Sequence, residues 1–124
     1  TGGSMETDIR VLMSLANRTA RDKGWWEGGR SFGDIIALIH SEASEALEAY
    51  REYREPAREL SIIDFEDSEQ GPISKPVGVA SEFADILIRV FDACEELDIP
   101  LVEAIDEKMK FNARRPPRHG GKNL

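Results

Sequence analysis

Apolar positions recur every three to four residues in four stretches of the chain, and no window of strict two-residue alternation competes with them. The pattern predicts an all-α, four-helix-bundle-like domain. The first helix is expected from about Glu6 to Lys23, with Ile9, Leu12, Met13, Leu15, Ala16 and Ala20 on one side and Gly24 at its end. A second is expected to open at Ser31, where Ser31 and Asp34 resemble a capping box, and to run to about Arg54 before Pro56. Its apolar stripe is Phe32, Ile35, Ile36, Ile39, Ala43, Ala46, Leu47 and Tyr50.

The segment from Pro56 to Pro76 carries three prolines, a glycine and the acidic run Asp64 to Glu69. It is long for a bundle connection, where about two to eight residues are usual, so it reads as a mobile or functional loop. A third helix is expected over Val77 to Leu97. A fourth starts near Asp98, with Pro100 in its first turn, and stops before Pro116 and Pro117.

The third helix is apolar nearly all round, and its polar residues, Glu82, Asp85, Arg89 and Asp92, draw one narrow stripe. Such a helix needs cover on more than one side. One small domain buries only about two-thirds of its unfolded surface. A homo-oligomer is therefore expected, a homodimer first and a homotetramer next.

A length of 124 residues suits one domain, and 40% apolar content suits a core without a membrane span. Residues 1–4 read as a remnant ahead of a natural start at Met5, leaving a single domain over 5–124. No basic, apolar leader precedes the first helix, and the single cysteine, Cys94, cannot form an internal disulfide, so a cytoplasmic setting is expected. The formal charge of −8 argues against nucleic acid as a partner. Yet six cations and no acid occur from Lys108 to Lys122, so the acidic body ends in a basic tail over 108–124.

Chemistry enters with two equally spaced acidic pairs, Glu42 with Glu45 and Glu82 with Asp85. Residues three apart share a helix face, so two such helices side by side can hold a divalent ion among four carboxylates. The plain alternative is a solvated acidic stripe. Iron bundles need Glu-x-x-His, and neither His40 nor His119 stands in that relation to these residues. Oxygen donors favour Mg²⁺, with Mn²⁺ as a substitute, while zinc lacks its cysteine and histidine ligands. Without a nucleophile motif or a phosphate-binding glycine loop, metal-assisted hydrolysis is the reaction class that fits.

The stretches Glu42-Ala-Ser-Glu45, Glu82-Phe-Ala-Asp85 and Lys108-Met-Lys-Phe-Asn112-Ala-Arg-Arg115-Pro resemble the all-α MazG-like nucleoside triphosphate pyrophosphohydrolases. The resemblance runs from about Ser31 to Lys122. It implies Mg²⁺-dependent hydrolysis of a nucleoside triphosphate to its monophosphate and pyrophosphate, with Glu42, Glu45, Glu82 and Asp85 as metal ligands. Glu45, or Glu42 beside it, would orient or deprotonate the water. Lys108, Asn112 and Arg115 would face the phosphates, and Trp25 and Trp26 would stack on a base or anchor the second helix. The family's first motif often begins with two adjacent glutamates, and the earlier position here is Ser41. The alternatives are a non-catalytic metal-binding helical dimer and an enzyme like the phosphoribosyl-ATP pyrophosphohydrolases.

Overall fold

In the computed structural model the described residues are 5–52, 60–68, 71 and 73–117. Pro56, Pro72, Arg118, His119 and Lys122, used in the sequence reading, lie outside them. Among the described residues are four helices, α1 (Met5–Asp22), α2 (Phe32–Arg51), α3 (Val79–Glu96) and α4 (Leu101–Arg114), and two strands, β1 (Asp64–Asp67) and β2 (Ser74–Val77). The expected helices are present with ends shifted by a few residues. No described helix is long and apolar enough to cross a membrane.

The helix boundaries follow local chemistry. Gly24 takes φ 81°, and Trp25 N–H reaches Ala20 O at 2.9 Å, closing α1 in the left-handed turn that glycine adopts without a Cβ penalty. Ser31 caps α2, its Oγ accepting the Asp34 N–H at 3.0 Å. Pro100 stands at the N-cap of α4 rather than in its first turn. Asp98, with φ 56°, makes the sharp turn between α3 and α4.

The hairpin corrects the all-α expectation. β1 and β2 pair antiparallel, with Phe65 opposite Pro76 and Glu66 opposite Lys75, inside the segment expected to be a loop. Val77 therefore ends a strand instead of opening a helix. Mostly exposed on both faces, these strands carry no alternating pattern to read. A sheet of two strands has only edges, which is why Pro76 is tolerated.

Helix α3 is the centre of the assembly, packed along α1 and α2, while α4 meets α1 along a short contact and β2 meets α3. Met13, Cys94 and Val102 form the buried apolar cluster, supported by Val90, Phe91 and Ile99. Polar ties bind α1 to α3: Asn17 Nδ2 donates to Asp92 Oδ1 and Glu96 Oε1, each at 2.9 Å, and Arg21 forks onto both oxygens of Glu96 at 2.7 Å. Arg10 pairs with Glu103 to hold α4.

The C-terminal half of the polar stripe of α3 thus points inward, while Glu82 is half-buried and Asp85 exposed. Asp92 is buried and Arg89 half-buried, whereas Phe83, Leu87 and Ile88 on the same helix are about half-exposed, at 58%, 53% and 49%. On α2, Ile35, Glu42 and Ala46 are buried while Phe32, Ile36, Leu47 and Tyr50 of the expected apolar stripe are exposed. The helix is turned so that its glutamate meets the polar stripe of α3.

Candidate functional site

Turning α2 in this way brings Glu42 against Arg89, whose Nε donates to Oε1 at 2.7 Å with only 8% of the glutamate side chain exposed. One turn along α2 stands Glu45, and across on the first turn of α3 stands Glu82. Carboxylate oxygens of Glu42, Glu45 and Glu82 all lie within 4.8 Å of one another. Asp85 stands beside this trio rather than within it, sharing the wall of a groove with Glu42.

Crowding shows in the acidities. The Glu45 carboxyl is held above its ordinary pKa first by a hydrogen bond to Glu42, then by the Glu42 charge, with desolvation and the charges of Glu82 and Asp85 adding to it. Glu82 and Asp85 are raised first by desolvation, then by neighbouring carboxylates, and Lys75 on β2 partly offsets both. A cluster of hard oxygen donors that repel one another is the donor set a divalent cation relieves.

The site has a second half. A groove of about 690 Å³ runs between α1 and α3, walled by Leu12, Leu15, Leu87 and Ile88 and reaching Trp25, Glu42, Asp85 and Arg89. The guanidinium carbons of Arg30 and Arg89 lie 3.7 and 4.6 Å from the Trp25 ring centre. Trp26 does a different job: its Nε1–H donates to buried Asp92 Oδ1 at 2.9 Å, fixing the chain before α2 to α3.

Of the residues named from sequence, the four carboxylates and Trp25 gather in one place. Lys108, Asn112 and Arg115 do not join them. They are exposed on and just beyond α4, where Lys108 and Arg115 flank the Phe111 ring at 5.5 and 5.8 Å. Ser41 is exposed, and its hydroxyl donates back to Leu38 O at 2.9 Å. His40 is exposed as well. Sequence reasoning missed Arg89 as the partner of Glu42. The signal was its place on the polar stripe, four residues after Asp85, on a helix too apolar to face water.

The chain matches no protein-family model, no curated protein and no solved structure with which it was compared.

The acidities give a sign-specific expectation for the metal-free protein. Glu45, Glu82 and Asp85 bind protons more readily folded than unfolded, so they favour folding at acid pH and lose that contribution as pH rises through their raised pKa values. Glu96 runs the other way. Asn17 and Arg21 hold its carboxyl below its ordinary pKa, so its contribution is present above the ordinary carboxylate range and lost as pH falls through the depressed value. Melting temperatures with Mg²⁺ and with chelator, from about pH 4 to about pH 8, are expected to differ most at neutral pH. If these carboxylates hold the cation, the difference should vanish on acidification as protons compete for them, while the acid loss due to Glu96 persists in both series. A Mg²⁺ increment independent of pH would remove these carboxylates as the ion's site.

Proposed function

We propose that the protein is a metal-dependent nucleoside triphosphate pyrophosphohydrolase of the MazG-like kind, acting as a homo-oligomer. The observation that carries this reading is the meeting of Glu42, Glu45 and Glu82 from two helices within 4.8 Å, next to an apolar groove lined by Glu42 and Trp25. Glu42, Glu45 and Glu82, with Asp85 alongside, are the residues that would hold Mg²⁺ or Mn²⁺. The ion would supply charge neutralisation at the phosphates and a more acidic water.

The chain's own residues define the rest of the chemistry. A base lying in the groove against Trp25 leaves its triphosphate over the carboxylates. Glu45, the most accessible member of the trio, accepts the proton of the attacking water. The water oxygen bonds to the α-phosphorus, the bond from that phosphorus to the α–β bridging oxygen breaks, and its electron pair leaves on pyrophosphate. Arg89, bonded to Glu42 and lying 4.6 Å from the Trp25 ring centre, would link occupancy of the two halves of the site.

A panel assay tests the reading: pyrophosphate release from ribo- and deoxyribonucleoside triphosphates with Mg²⁺, with Mn²⁺ and with chelator. Metal-dependent release with the matching monophosphate supports it. Silence from folded protein overturns it in favour of a non-catalytic helical assembly.

Oligomerisation rests on surface that the single chain leaves uncovered. Phe32, Ile36 and Leu47 on α2, Phe83 on α3 and Met109 and Phe111 on α4 are 40–59% exposed, and none of them lines the groove. Scattered apolar residues are ordinary; this many on three helices suit burial against a second copy. Light scattering at micromolar concentration is expected to give at least twice the 13.9 kDa chain mass. A monomer would refute it.

A further inference from the structure

The hairpin has so far only been part of the fold, yet it carries charge to the carboxylates. Ser81 Oγ donates to Pro76 O at 3.1 Å, and Gly78, the residue after β2, is the N-cap of α3, so the end of β2 is fastened to the first turn of α3. Lys75, one residue before Pro76, is therefore held on a strand anchored where Glu82 begins. Its charge acts on both Glu82 and Asp85. Across the hairpin it faces Glu66, but among the described residues neither Lys75 nor Lys23 forms an ion pair.

Space accompanies the charge. A second cavity, of about 710 Å³, opens beneath the hairpin and is lined by Lys23, Lys75 and Ser74 together with Glu66 and Asp67. Lys23, at the end of α1, also lines the groove that holds Trp25, Glu42 and Asp85. The two cavities therefore adjoin at one lysine. An elongated ligand can lie in the apolar groove beside Glu42 and Asp85 and extend past Lys23 into the cavity at the hairpin.

We infer that Lys75, assisted by Lys23, forms the anion end of the substrate site, binding the β- and γ-phosphates of a triphosphate and then the pyrophosphate product. The inference rests on the proposed reading of the carboxylates and extends it, because it assigns the polyphosphate to cations just after α1 and on the hairpin rather than to the exposed cations of α4. Two ammonium groups lining a cavity next to the groove of Glu42 and Asp85 suit a ligand that is anionic at that end and would be held by a divalent ion at the carboxylates. A monophosphate has nothing to place there, so the same lysines favour triphosphate entry over monophosphate retention.

The test compares wild type, Lys75→Met, Lys75→Arg and Lys23→Met, each with Mg²⁺, in two measurements: steady-state kinetics with pyrophosphate as inhibitor, and calorimetric binding of pyrophosphate. Lys75→Met is expected to weaken pyrophosphate binding and raise KM about tenfold, the size of one charge-assisted hydrogen bond, with kcat less affected. Lys23→Met moves both in the same direction by less, and Lys75→Arg retains them. A Lys75→Met protein that binds pyrophosphate as wild type does overturns the inference, since a lysine that merely calms carboxylate repulsion gives that result. The two proposals fail separately. A wild type that releases no pyrophosphate from any triphosphate overturns the enzyme reading, whereas a Lys75-dependent affinity for pyrophosphate still upholds the anion site.

Discussion

Exchanging Glu45 for glutamine is expected to lower turnover at saturating Mg²⁺ by at least about 100-fold, the lower end for a positioned acid–base group. The substitution keeps the shape of the side chain and removes its ability to take a proton. Glu45 is the informative member of the trio because it is exposed, whereas Glu42 is buried and paired with Arg89, so changing Glu42 perturbs folding and chemistry together. The metal-free Glu45→Gln protein should melt no lower than wild type. Its charge is held next to Glu42, Glu82 and Asp85 at a cost visible in its raised pKa, and the amide removes that repulsion. Lost turnover with unchanged or higher melting temperature separates a chemical role from a structural one. Turnover equal to wild type would take Glu45 out of the mechanism.

Spacing made the carboxylates legible because a helix converts sequence separation into direction: Glu42 with Glu45 and Glu82 with Asp85 each had to share a face. Whether the two faces met was a tertiary matter. Of the apolar stripe expected on α2, Ile35 and Ala46 are buried while Phe32, Ile36, Leu47 and Tyr50 are exposed, and the fold buries Glu42 beside the first two, since Arg89 offers it a counter-charge that no apolar neighbour can. Trp25 and Trp26 look alike in sequence and part in the structure: one walls the groove, the other satisfies Asp92. The hairpin was hidden because Asp64–Asp67 and Ser74–Val77 have no buried face to impose alternation. Lys75 was hidden with it. The cations of α4 were legible as a shared helical face, but direction within a helix says nothing about where that helix docks. It docks on α1.

The Glu42–Arg89 pair should be the costliest contact in the site to break. Replacing Arg89 by methionine keeps an unbranched apolar stem and leaves a nearly buried carboxylate facing Glu45 and Glu82 with no counter-charge. Loss of one partner of such a pair costs about 3 kcal/mol, read from the denaturant midpoint in chelator. Two further results follow if the guanidinium occupies the place that a metal contests. Saturating Mg²⁺ should return much of the lost stability, because the ion supplies the missing positive charge, and the half-saturating Mg²⁺ concentration should fall, because its competitor is gone. The double variant with Glu42→Gln should also recover stability in chelator, but without the gain in Mg²⁺ affinity. An Arg89→Met protein as stable as wild type in chelator would mean that Glu42 is solvated or protonated at no cost. In that case Arg89 is a stacking partner of Trp25 and nothing more. With the expected outcome, the arginine that neutralises Glu42 and also lies over Trp25 is the one side chain through which metal binding and the wall of the groove are coupled.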